Sequence, residues 1–174
     1  MGTYPGGTII RVTPTLSTDA YAQNDVLFNP VEVKNAVSYR GGVSRLINAY
    51  ILDQSDVADS DILFIISEGS TDIGTINATA DMSDANAEGM NFIGTMKCDA
   101  DQASSGSSID DFRLHQILPT AAAVGSESAS SSMLLQAAPG SRSVYISGIL
   151  TSATTPTYAV DDIDLILHIE YLGV

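Results

Sequence analysis

The chain reads as an all-β protein, an antiparallel β-sandwich of jelly-roll type with about nine strands and one short helical turn. Three observations predict this. Apolar segments of strand length recur through the 174 residues, and Gly, Pro, Asn, Asp and Ser clusters bound them. Most are rich in β-branched or aromatic residues, the types that suit a pleated, half-buried surface. The connections between them are of a length that joins antiparallel strands. There is no internal repeat, and no linker is long enough to announce a second domain. The prediction is therefore one sandwich over residues 8–174, behind a flexible N-terminal arm of residues 1–7. A chain of this length buries roughly two thirds of its unfolded surface.

The first strand is Thr8 to Thr13, which Pro14 ends. A polar loop, Ser17 to Asn24, leads to a second strand from Asp25 to Val37, where Pro30 marks a bulge or an edge position. Tyr39-Arg40-Gly41-Gly42 is a turn. VSRLINAYILD, from Val43 to Asp53, suits strand or helix by periodicity; its β-branched and aromatic flanks and the preceding Gly-Gly favour strand. A polar loop runs to Asp61. The continuous apolar run Ile62 to Ile66 predicts the most buried strand of the fold. Thr71 to Met82 is irregular. Ser83 to Gly89 reads as one helical turn, with Ser83 as N-cap, Asp84 favourable in the first turn and Gly89 as the stop.

Asn91 to Cys98 is the next strand, and Asp99 to Ser108 is a low-complexity loop. Phe112 to Leu118 alternates, with Phe112 and Leu114 predicted inward and Arg113 and His115 outward. Ala121 to Ser132 is an Ala/Ser-rich loop. Met133 to Ala137 and Ser143 to Leu150 flank Pro139-Gly140-Ser141 and predict a hairpin. Thr154 to Tyr158 crosses over. The last strand, IDLILHIEYL from Ile163 to Leu172, places Leu165, Leu167, Ile169 and Tyr171 on one side and Ile166, His168 and Glu170 on the other.

The charged fraction, 16%, is low against a typical value of about 25%. A polar but weakly charged surface suits a protein that lives packed against others. The net charge of −14 is uneven. Residues 1–50 carry four basic side chains against three acidic, a balance of +1; residues 51–174 carry three against eighteen, a balance of −15. An acidic field repels phosphate backbones, which argues against direct nucleic-acid binding. The near-neutral N-terminal part is the candidate for meeting a partner, with Arg11, Arg40 and Arg45 as candidate contacts. No apolar run approaches the roughly 20 residues of a membrane span, and MGTYPGGT has neither the charged nor the apolar region of a secretory signal. These features predict a soluble protein synthesised in a cytoplasm.

Catalytic chemistry finds no constellation here. Cys98 is the single cysteine, so no intrachain disulfide forms, and its place in an alternating run predicts a structural thiol. His115 and His168 are the only histidines, and both are predicted outward; two imidazoles without a third ligand do not define a zinc site. There is no Gly-x-Ser-x-Gly elbow, Walker loop or placed carboxylate pair. Asp53, Asp56, Asp59 and Asp61 share one loop and are the best candidates for a hard cation. Their spacing is not that of an EF-hand, and a solvated acidic loop is the favoured reading. Asp161, Asp162 and Asp164 read as strand-junction residues. No cofactor and no enzyme activity are expected.

Thr13 to Val37, TPTLSTDAYAQNDVLFNPVEVKNAV, resembles a recurring opening in small structural proteins of tailed bacteriophages, especially those of aquatic and marine hosts. Gly41-Gly42, the strand ending at Asp53, the Phe64 strand ending in Ser67, Ser83 to Ala87, the strand around Tyr145 and Pro156-Thr157-Tyr158 extend the likeness along nearly the whole chain. The loops Asp99–Ser108 and Ala121–Ser132 are longer than is usual there. The resemblance implies a virion protein on the capsid exterior: a decoration or cement protein that binds the major capsid protein and forms a homo-oligomer, dimer or trimer. It carries over no catalytic residue. Another virion component (head fibre base, minor capsid or tail protein) and a jelly-roll carbohydrate-binding module are the alternatives.

Overall fold

Ten strands and one helix make up the computed structural model, which describes residues 6–55, 60–99, 106–109, 112–119 and 132–172. Five strands form the first sheet: β1 (Gly7–Val12), β10 (Ile163–Leu172), β3 (Val43–Asp53), and β7 (Phe112–Pro119) and β8 (Met133–Gln136), which share the far edge of β3. A short β6 (Gly106–Ile109) extends it beyond β7. The second sheet runs β2 (Val26–Val33), β9 (Val144–Leu150), β4 (Ile62–Ser67), β5 (Phe92–Cys98). The last residues of β7 cross to β5 and stitch the two sheets together at one corner.

All these pairings are antiparallel, and they nest: β1 with β10, β2 with β9, β3 with β7 and β8, β4 with β5. A long hairpin rolled up in this way is a jelly roll. Alternate residues of each strand point into one core between the sheets. Leu46, Ile51, Leu165 and Leu167 enter it from the first sheet and Phe28, Phe64, Met96 and Ile146 from the second.

The stretch from Thr13 onward ties this roll together. Tyr21 is fully buried; its hydroxyl accepts from the Ser17 N–H at 2.6 Å and donates to the Leu27 carbonyl at 3.1 Å. Its ring meets Tyr158 edge-on, with centroids 6.0 Å apart, and its N–H bonds the Pro156 carbonyl. The loop before β2 is thus pinned to the crossing before β10.

Several expectations are corrected. The Asp99–Ser108 loop contributes a tenth strand, β6, at its end; residues 100–105 lie outside the described set. Pro139 and Gly140 do form a turn, with Gly140 at φ 88° and Ser141 N–H bonding the Ala138 carbonyl. It joins no hairpin, because β8 pairs with β3 and β9 with β2 and β4, in opposite sheets. Instead it docks on the similar Tyr39–Gly42 turn, where Gly41 has φ 68° and donates to the Ser141 carbonyl at 2.8 Å. Helix α1 (Asp84–Met90) has the predicted Ser83 cap, but Gly89 lies inside it and Asn91 ends it in the left-handed conformation. The strand predicted to Val37 ends at Val33, after register shifts on either side of Phe28, the second of which spans Pro30.

The phase of β7 is inverted. His115 lies opposite Ile51 and Ile117 opposite Ala49, so these two point inward, while Leu114 faces outward beside Leu52. Two apolar side chains at the strand start suggested the opposite face; the pleat leaves no such choice once the register with β3 is set. Nor is β4 the most buried strand. Ile62, Phe64 and Ile66 are buried and Leu63 and Ile65 half-buried, whereas β9 buries Ile146, Ser147 and Gly148 in succession. The arm of residues 1–7 and the Ala121–Ser132 loop fall largely outside the described residues; Gly6 already accepts from the Tyr171 N–H, and β1 begins at Gly7.

Candidate functional site

The two sheets differ in what lies over their outer faces. Against the second sheet, the segment between β4 and α1 folds back and builds a small outer core from Val26, Ile73 and Met90, with Ala80, Met82 and Ile149 packed on it. Bonds between Val26 and residues Asn77 and Ala78 fasten it. Among the described residues, nothing comparable covers the first sheet.

The register defines that bare face. Across β1, β10, β3 and β7 run Arg11, Ile166, Tyr50 and Gln116; the next row is Ile9, His168 and Asn48; the next is Gly7, Glu170, Arg45 and, on β8, Leu134. Leu52 and Leu114 close one end, and Leu172 and Val43 the other. Ile47 joins at the bulge between His168 and Ile169. A solvated sheet face reads polar at such positions. Here Ile9 is 66% exposed and Leu134 59%, with Ile47 and Leu114 also open to solvent. They stand on one face, interspersed with His168, Asn48, Glu170 and Arg45, and no described segment covers them.

Its charges are few and balanced. Arg11 pairs with Asp164 at 3.1 Å and Arg45 with Glu170 at 3.3 Å. Asp164 also accepts a hydrogen bond from the Thr13 hydroxyl. It is therefore a buried strand residue rather than the junction residue predicted for it. The Tyr50 ring lies 5.3 Å from the His168 imidazole, so the outward polar groups are held by neighbours. Of the predicted contact residues, Arg11 and Arg45 share this face. Arg40 is exposed in the turn that leads into β3. An open groove continues the face around its Val43 end: Val43, Leu134 and Gln136 belong to both, and Phe92 and Ile93 of β5 form the far wall.

Sequence reasoning singled out the arginines and missed the apolar residues around them. The signal was present. Ile163–Leu172 and Val43–Asp53 are apolar at both parities, whereas a strand buried on one side alternates.

The other candidates do not converge. His115 lies on the inner side of the first sheet and His168 on its outer side, so the expectation that both face outward holds only for His168. Asp53 is buried, and its carboxylate accepts from the Ser55 N–H and hydroxyl. Asp61 pairs with Lys97 at 3.6 Å, and Asp99 with the same amine at 3.5 Å. Burial alone would lower the Lys97 pKa; the two carboxylates outweigh it and raise it. Asp56 and Asp59 lie outside the described residues, and among those described no three His, Cys, Asp or Glu side chains gather around a point. Cys98 is buried on the inner side of β5. Burial, with Asp61, Asp53 and Asp99 nearby, pushes its thiol up to about 12, the opposite of what a nucleophile needs. Tyr158 is pushed up as well, chiefly by burial, with the nearby Ser60 hydroxyl opposing the shift.

No protein-family model matches the chain, and no curated protein matches it.

Proposed function

We propose that the chain is a structural, non-catalytic virion protein, a decoration or cement protein that binds the outside of a tailed-phage capsid shell through the bare face of its first sheet. The observation that carries this reading is the uncovered face, with exposed Ile9, Ile47, Leu114 and Leu134 among balanced charges, on a protein of net charge −14. A docking surface needs shape and apolar area; the acidic remainder keeps many crowded copies soluble. The Thr13–Val37 resemblance supplies the choice of partner, the major capsid protein. The jelly roll serves many functions and adds only analogy. Each copy contributes a modest contact, and together with self-association these add into shell stability by avidity.

The test is binding to purified shells. Tyr50→Asp with Leu134→Asp, and separately Arg11, Arg40 and Arg45→Glu, are each expected to reduce occupancy at least tenfold. Asp84→Ala, on α1 beside the covered sheet, should leave it unchanged. Parental occupancy in both face variants sinks the proposal. Copy number separates this reading from a tail or fibre part, hundreds per particle against a handful.

A further inference from the structure

We propose that two copies of this chain associate through the free edge of β1, pairing antiparallel about Ile9 to join their bare faces into one continuous platform. The inference rests on the self-association included in the reading above and assigns it to a specific edge.

The edge is read from the hydrogen-bond parity. Tyr171 N–H bonds the Gly6 carbonyl, so Gly6 and Tyr171 form a hydrogen-bonded pair. Such pairs alternate along an antiparallel ladder, so Thr8, Ile10 and Val12 turn their backbone groups to β10. Gly7, Ile9 and Arg11 therefore turn theirs away. No hydrogen bond from another described residue reaches those groups.

Natural sheets guard such edges with proline, bulges or covering segments. The outer edge of β2 has all three: Pro30, register shifts on either side of Phe28, and the Asn77–Ala78 bonds to Val26. Among the described residues, β1 has none of them. Its register with β10 is unbroken, it contains no proline, and its single charge, Arg11, is turned to Asp164.

The edge is also self-complementary. A two-fold axis at Ile9 places Ile9 opposite Ile9 of the second copy and Arg11 opposite its Gly7, and each of these pairs can exchange reciprocal backbone bonds. The two highly exposed Ile9 side chains then cover each other. Gly7 puts no side chain between Arg11 and Glu170 of the other copy, which is the neighbour of Gly7 on β10. Arg11 and the other copy's Glu170, each ion-paired within its own chain, then share one row, and no like charges meet across the seam. The row Asn48, His168, Ile9 runs on into its two-fold image. The contact is isologous and closes at two, so it selects the dimer over the trimer.

Cysteine cross-linking of the full chain tests this. Hydrogen-bonded antiparallel partners have Cα atoms about 5.5 Å apart, within disulfide reach. Ile9→Cys is expected to oxidise to a covalent dimer at least tenfold faster than Val160→Cys, an exposed site off this edge, with Cys98 buried and silent in both. Ile9→Pro removes one outward N–H and no bond to β10. It is expected to weaken self-association at least tenfold in sedimentation while keeping the parental circular dichroism. Equal cross-linking rates at the two sites overturn the proposal, as does parental self-association of folded Ile9→Pro. Shell binding separates the two readings. A chain that decorates shells but does not cross-link at Ile9 ends this inference alone, and one that cross-links but never binds shells ends the decoration reading alone.

Discussion

The rings of Phe28 and Phe64 pack against each other across Gly148, their centroids 6.2 Å apart. A β-carbon built on Gly148 would lie 2.5 Å from the Phe28 ring. Both rings are buried in the main core, so the clash has nowhere to relax. Gly148→Ala should cost about 1–3 kcal/mol. It should appear as a lower urea midpoint at unchanged slope. Gly94→Ala is the matched control. Its β-carbon would crowd the terminal methyl and sulfur of Met133, a flexible and partly buried side chain that can swing aside. A loss at Gly94 as large as that at Gly148 would contradict this account.

Tyr21→Phe keeps the ring against Tyr158 and removes only the hydroxyl. The Leu27 carbonyl then loses a partner at a buried site, and the Ser17 N–H loses one at a partly buried site. The expected cost is about 1–3 kcal/mol. Protease should also cut the Ser17–Asn24 loop faster, because its anchor is gone. An unchanged cutting rate would place the anchoring elsewhere.

The two ion pairs on the bare face should not be equivalent. Asp164 has a side chain only 11% exposed and holds both Arg11 and Thr13, whereas the Glu170 and Arg45 side chains are 37% and 46% exposed. Asp164→Asn should lower stability by about 1–3 kcal/mol. Glu170→Gln should change it by less than about 1 kcal/mol. Thermal melts of the two variants decide the order, and a reversed order refutes it.

Cys98 gives a pH signature. Its thiol is raised in the folded chain from the ordinary 9.0 to about 12. The folded state therefore holds the proton more tightly than the unfolded one, and stability falls as pH rises. The contribution is complete below pH 9 and is lost between 9 and about 12. Tyr158, raised in the same direction, adds to the alkaline loss above its ordinary 10.0. Cys98→Ala should flatten the lower part of that decline. A thiol reagent at pH 8 should leave the native chain unlabelled and label it in urea; rapid native labelling would contradict the burial.

How far the sequence spoke depended on whether a signal was local. Strand positions were legible because period-two patterning and Gly/Pro punctuation are local. So were the Ser83 cap and the Tyr39–Gly42 turn. Partnership between strands was not. The Pro139–Gly140 turn looked like a hairpin because nothing near it records that β8 and β9 join opposite sheets. The inward turn of His115 is set by its partner Ile51, sixty-four residues away in sequence. The bare face was half legible. Arg11 and Arg45 stood out by charge, but only the register shows that they share a surface with Ile9, Ile166 and Leu134.

The nesting of the strands dictates an order of assembly. β4 and β5 are close in sequence and can meet early, whereas β1 is made first and its partner β10 last. The Arg11–Asp164 bond spans 153 residues. Contacts so distant in sequence make folding slow, because closing the chain comes before any reward for it. A nascent chain therefore carries β1 unpaired until β10 has been made. The first sheet can be completed only when the ribosome has finished with β10, so the window for misassembly between neighbouring chains is widest at β1.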